Sequence, residues 1–92
     1  MEATVYLIHF ERPYITGRRS CQHYIGSTVV FDRRMSEHRN GHGAKLLALV
    51  NAAGISWEVV RTWDIPREGR YAAERSLKRQ RNHRRLCPTC TP

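Results

Sequence analysis

The sequence predicts an α+β fold, a small three-stranded antiparallel or mixed sheet flanked by about three helices in the order β-β-α-α-β-α. Three observations carry it. Two runs rich in β-branched and aromatic residues open the chain, two segments with helical spacing follow and each closes on glycine, and a tryptophan-rich run then leads into a Pro-initiated basic helix. With 92 residues and 10.8 kDa, and no repeat or linker, the chain reads as one domain spanning residues 1–92, with a short basic, Cys-containing tail from about residue 83. A core of that size implies a stability on the order of 5 kcal/mol.

The first strand is placed at residues 4–10, Thr4-Val-Tyr-Leu-Ile-His-Phe10, and Pro13 is expected to end it. Residues 13–21, with Pro, Gly, Ser and Arg18-Arg19, read as a basic loop, and a short strand His23-Tyr-Ile-Gly26 completes a hairpin. Residues 30–39 have helical spacing, with Phe31 and Met35 toward the core and Arg34 and His38 on a neighbouring stripe. Asn40-Gly-His-Gly43 stops that helix. A second helix is expected over residues 44–53, with Gly54 at its C′ position. Residues 57–63 read as the third strand, with Trp57, Val59 and Trp63 on one face. Pro66 then opens a helix to about residue 82 whose apolar face is thin: Tyr71, Ala73 and Leu77.

Sixteen Lys and Arg against eight Asp and Glu give a net charge of +8. Half of the positive charge lies between residues 67 and 85. Clustered cations of this density favour a polyanion as partner, because phosphate contacts release counterions. No apolar run approaches the roughly 18 residues of a membrane span, and the opening Met-Glu-Ala-Thr-Val-Tyr-Leu lacks the basic lead and apolar stretch of a secretory signal. The expectation is a soluble, cytoplasmic domain with no membrane partner. Cys21, Cys87 and Cys90 are an odd number, which argues against a disulfide framework. Cys87-Pro-Thr-Cys90 has the spacing of half a zinc site, but no second pair matches it. A reduced surface turn or a redox pair is the simpler reading, and Zn²⁺ at Cys87 and Cys90 is not expected. His9, His23, His42 and His83 have no ligand-like spacing and read as surface or packing residues.

Tyrosines sit on both hairpin strands, in Thr4-Val5-Tyr6 and Tyr24-Ile25-Gly26. Arg34 lies eight residues after Gly26, His38 one turn further on, and Glu74 forty residues beyond Arg34 in the basic helix. Phe31-Asp-Arg-Arg-Met-Ser-Glu-His38 and Gly41-His-Gly-Ala-Lys45 complete an ordered set that resembles the GIY-YIG nuclease family, and its small stand-alone members in particular. The resemblance runs from residue 4 to about 82. It implies a divalent-metal-dependent endonuclease acting on DNA, in which Tyr24 or Tyr6 accepts a proton from the attacking water and Arg34 neutralises charge on the scissile phosphate. By the same resemblance Glu74 holds one Mg²⁺, with Mn²⁺ as a substitute, and His38 relays a proton or contacts phosphate. The chain departs from the family in three ways: Thr4 replaces the first glycine, Ser27 stands where some relatives carry Lys, and Tyr24 follows Tyr6 by a long interval of eighteen positions. Asn82 falls too early for the family's late Asn and is left out of the catalytic set.

The chemistry is sound in its own right. Phosphodiester hydrolysis needs a deprotonated nucleophile and neutralisation of the developing charge, and a phenol of pKa near 10 needs a neighbouring cation to act as a base. Mg²⁺ keeps several waters, so one carboxylate can suffice. Each assignment has a structural rival: Arg34 beside Arg33 as a solvated helix face, Glu74 between Arg70 and Lys78 as an ion-pair ladder, and the tyrosines as packing. Arg18, Arg19, Lys45, Arg67, Arg75, Lys78 and Arg79 are the candidate phosphate contacts. RNA and branched DNA are further candidate substrates. Without a spare module to read a groove, sequence preference should be weak, or supplied by a homodimer or partner protein. The alternatives are a non-catalytic nucleic-acid-binding module on the same scaffold and a small zinc-associated interaction domain.

Overall fold

The central strand explains the architecture. The run Val5-Tyr-Leu-Ile8 does not alternate between apolar and polar because both of its faces are covered, and all four side chains are fully buried. The computed structural model describes residues 2–80 and 83–90. In it β1 (Glu2–Thr16) lies between β2 (Arg19–Thr28) and β3 (Trp57–Pro66), antiparallel to both, in the sheet order β2-β1-β3. The helices are α1 (Phe31–Arg39), α2 (Lys45–Ala52) and α3 (Arg70–Arg79), so the expected β-β-α-α-β-α order is observed. Among the described residues no helix is long and apolar enough to cross a membrane.

Alternation along β1 divides the core. Tyr6, Ile8 and Phe10 pack with Leu47, Val50, Ile55 and Trp57 beneath α1 and α2. Val5 and Leu7 point the other way, with Ile25 and Cys87, under Ala73 and Leu77 of α3 and Leu86 of the tail. α2 ends as the sequence predicts. Gly54 adopts φ +72°, its N–H donates to Asn51 O (3.0 Å), and the Ile55 N–H donates to Val50 O (3.1 Å), the paired bonds of a Schellman cap. Asn51 also ties three elements together, donating from Nδ2 to His38 O (2.8 Å) and accepting from Trp57 Nε1 (2.9 Å).

Four expectations need correction. Pro13 does not end β1, which continues to Thr16. The proline falls where the β1–β2 register shifts, between His9 and Tyr14, and beyond Phe10 no β3 partner is paired, so a missing N–H is tolerated there. Residues 13–21 are therefore mostly strand, and β2 is longer than residues 23–26. The loop shrinks to Gly17-Arg18 between the paired Thr16 and Arg19, with Gly17 at φ +58° as a tight hairpin requires. Trp63 does not share a face with Trp57 and Val59. A register shift between Leu7 and Ile8 admits an extra residue into β3, reversing its alternation and sending Trp63 and Ile65 to the α3 side. The last helix does not start at Pro66, which closes β3; a 3-10 turn, Arg67–Gly69, precedes α3, which stops at Arg79. Asn82 lies outside the described residues.

Candidate active site

Tyr6 is the interior anchor of the site. Its ring is fully buried, with Phe31 edge-on at 6.0 Å and Tyr24 at 6.3 Å between centroids. The two tyrosines share a sheet face because Tyr6 pairs with Gly26 and Ile8 with Tyr24, which makes them diagonal neighbours. The glycine of the second motif has a steric cause: a Cβ at Gly26 would stand 2.5 Å from the Tyr6 hydroxyl oxygen and 3.0 Å from Tyr24 Cε1. Gly26→Ala is accordingly expected to destabilise the fold by about 1–3 kcal/mol, read as a lower urea midpoint at unchanged m-value. An unchanged midpoint would mean that the Tyr6 ring is free to move.

α1 supplies His38 and Arg34. His38 is fully buried rather than lying on a half-exposed stripe, and its Nε2 is 2.7 Å from the Tyr6 hydroxyl. Burial, and secondarily the Arg34 charge, push its pKa down to about 4 against a small opposing pull from Glu37, so the ring is neutral at pH 7. Its Nδ1 is buried without a protein partner, facing Gly43, where any Cβ would collide with the ring. An orphaned N–H is costlier than an orphaned lone pair. The same accounting applies to the Tyr6 O–H, so the Tyr6–His38 bond runs in the direction that the imidazole tautomer sets. The Asn40–Gly43 stop thus does more than reverse the chain, since Gly43 is the floor under His38.

Arg34 is half-exposed, with Nη1 3.8 Å from Glu37 Oε1, while Arg33 is exposed. Arg33 fits the solvated-face reading, whereas Arg34 pairs with Glu37 and also acts on the two phenols. Burial raises the pKa of both phenols, and Tyr24 raises that of Tyr6 further. Arg34 pulls both down, acting on Tyr6 by charge and by a side-chain hydrogen bond, and Glu74 pushes both up. One guanidinium and one carboxylate thus act on the same two hydroxyls. Glu74 acts on them by charge from α3, whose closest packing is against the edge strand β2. Lys78 marks the approach, with Nζ 3.7 Å from Glu74 Oε1 and 6.0 Å above the Tyr24 ring. Only half of the expected ion-pair ladder forms, because Arg70 instead stacks on Tyr71 at 4.3 Å and bonds its hydroxyl. Glu74 is the carboxylate whose charge is felt at both phenols, and its closest charged neighbour is Lys78.

The candidate phosphate contacts divide. Lys78 adjoins the site, and Arg75 and Arg79 are exposed on α3 with Arg67 just before it. Arg18 and Arg19 sit at the hairpin tip, ten residues or roughly 33 Å along β1 from Tyr6. Arg19 and Lys45 border an apolar groove at that remote end, with Leu46 and Leu49.

A second constellation escapes the sequence reading. On the opposite sheet face His9 Nδ1, His23 Nε2, Cys87 Sγ and Cys90 Sγ lie within 4.8 Å of one another. The two histidines are strand partners in β1 and β2, and the cysteines come from the tail. The Cys-Pro-Thr-Cys spacing signalled half of this group. The other half follows only from the His9–His23 register, which linear spacing does not reveal. No family model matches the chain, and neither a curated protein nor a solved structure matches it.

Proposed function

We propose that the protein is a metal-dependent endonuclease that hydrolyses phosphodiester bonds in DNA, working from the edge where β2, α1 and α3 meet. The observation that supports this best is the convergence of Tyr6, Tyr24, Arg34, His38 and Glu74 from four separate elements. Tyr24, half-buried at the edge strand, is the phenol a water can reach, and it accepts the proton of the attacking water. Tyr6 is too deep for that role. It holds the Tyr24 ring in place and is itself fixed by its hydrogen bond with His38 Nε2, so Tyr6 and His38 are positioning residues. Arg34 neutralises the charge growing on the phosphate oxygens and favours the phenolate of Tyr24. Mg²⁺ held by Glu74 would supply positive charge beside the scissile phosphate and reverse the sign of the field that Glu74 imposes on Tyr24. Lys78 draws the DNA backbone toward this edge and leaves the carboxylate to the cation.

The pairing of Lys78 with Glu74 favours a second reading, in which the carboxylate is already neutralised and the surface binds nucleic acid without cutting. Supercoiled, linear, single-stranded and branched DNA, and RNA, incubated with Mg²⁺, with Mn²⁺ or without a divalent ion, separate the two. The nuclease reading expects cutting that requires Mg²⁺ or Mn²⁺ and falls by about 10²-fold or more in Tyr24→Phe, which keeps the ring and removes only the proton acceptor. Retained binding with no cutting of any substrate would establish the binder instead.

A further inference from the structure

We infer that His9, His23, Cys87 and Cys90 form a structural Zn²⁺ site that fastens the C-terminal tail to the β1–β2 hairpin. The distances carry it. Tetrahedral zinc with ordinary Zn–N and Zn–S bond lengths sets its ligand atoms about 3.3 Å apart for two nitrogens and about 3.5 Å apart for nitrogen and sulfur. Here His9 Nδ1 is 3.3 Å from His23 Nε2, 3.5 Å from Cys87 Sγ and 3.6 Å from Cys90 Sγ, and His23 Nε2 is 3.4 Å from Cys90 Sγ. One ring nitrogen has a single proton or a single lone pair, so His9 Nδ1 cannot bond three such neighbours by itself. A cation at their centre satisfies all four donor atoms at once, which no pairing of hydrogen bonds through the single His9 Nδ1 does.

The donor set also selects the metal. Two thiolates and two imidazoles suit Zn²⁺ and exclude the hard ion proposed for the other sheet face. All four positions are filled by protein, which leaves no open place for a substrate and makes the site structural. Its mechanical role follows from where it lies. α3 contains no fully buried residue, and the tail after it returns over the sheet to bring Cys87, itself fully buried, against Val5, Leu7 and Ile25. A metal crosslink at that point holds the chain beyond α3, and so secures the helix from its far end. The site stands independently of the phosphodiester chemistry proposed above.

The test uses the whole chain, purified under reducing conditions from zinc-supplemented cells. Elemental analysis is expected to find one zinc per chain. Exchange for Co²⁺ is expected to give the visible bands of a tetrahedral ion and the near-ultraviolet charge transfer of thiolate ligands. Cys90→Ser, His9→Ala and His23→Ala should each weaken Co²⁺ binding by more than about tenfold. Cys21→Ser should leave stoichiometry and spectrum intact, because Cys21 packs with the other core cluster and bonds His23 O through its thiol. Should Cys87→Ser fail to fold, Cys90 at the half-exposed end of the tail still provides the thiol test. Absence of bound zinc together with no Co²⁺ spectrum for the reduced chain would overturn the inference. So would undiminished affinity in both histidine variants, or a Cys87–Cys90 disulfide in a fully folded, metal-free protein.

Discussion

Glu74→Gln is expected to abolish cutting while leaving DNA binding as tight or slightly tighter. The substitution keeps the side-chain volume and the helix, and removes one negative charge from a strongly basic surface. Phosphate attraction measured without divalent ion therefore cannot weaken. What is lost is, among the described residues, the carboxylate acting on the two phenols, and with it the proposed cation's protein ligand. Losing one preorganised charge contact at a transition state typically slows catalysis 10²–10³-fold, about 2.7–4 kcal/mol. The Tyr24 phenol responds in the opposite direction in the metal-free protein, since removing Glu74 relieves one of the influences raising its pKa. A variant that binds normally, has a slightly more acidic Tyr24 and does not cut would separate the metal-holding role from any general loss of structure. Cutting within about threefold of the unsubstituted protein would remove Glu74 from the chemistry, and Lys78, freed of its partner, would then be the residue to examine.

The sequence revealed the fold where a single physical cause dominated. The β-branched, apolar run of β1 read as a buried strand and Gly54 as a helix stop, and the structure has both. It misled where two causes competed. Pro13 is a strand breaker in isolation, but the register shift after His9 gives it a place without a ladder bond to lose. Trp63 follows strict alternation in the sequence, and only the extra residue in β3, visible through its pairing with β1, turns it over. The site shows the same division. Tyr6, Tyr24, Arg34 and Glu74 were singled out through a family resemblance that rests on their order along the chain. The roles of Gly26 and Gly43 were not, because they depend on the space beside a ring that comes from another element. The His9–His23 pair was hidden for the related reason that two residues on neighbouring strands meet by register alone.

Acid should unfold the protein through His38. In the unfolded chain this imidazole binds a proton near pH 6.5; in the fold it resists until about pH 4, first because it is buried and second because Arg34 stands nearby. Between those values the unfolded state holds the extra proton, so stability falls as pH drops from about 6.5 to about 4. Above pH 7 both states are neutral and the penalty disappears; below pH 4 both are charged and the decline from this residue stops. The difference amounts to about 3 kcal/mol, a large part of what a domain of this size possesses. His38→Gln keeps a donor near the Tyr6 oxygen and cannot titrate. Urea unfolding of both proteins at pH 7 and pH 4.5, in the same metal state, should show the unsubstituted chain losing about 2–3 kcal/mol more than the variant. Contributions common to both proteins, that of His23 included, cancel in the comparison. Arg34→Ala provides the second arm: with the repelling charge gone, His38 protonates at higher pH in the fold and the acid sensitivity shrinks, though burial keeps it from vanishing. Equal acid sensitivity in all three proteins would mean that the imidazole is hydrated in solution and that its bond to Tyr6 is not the closed contact from which the site's geometry is built.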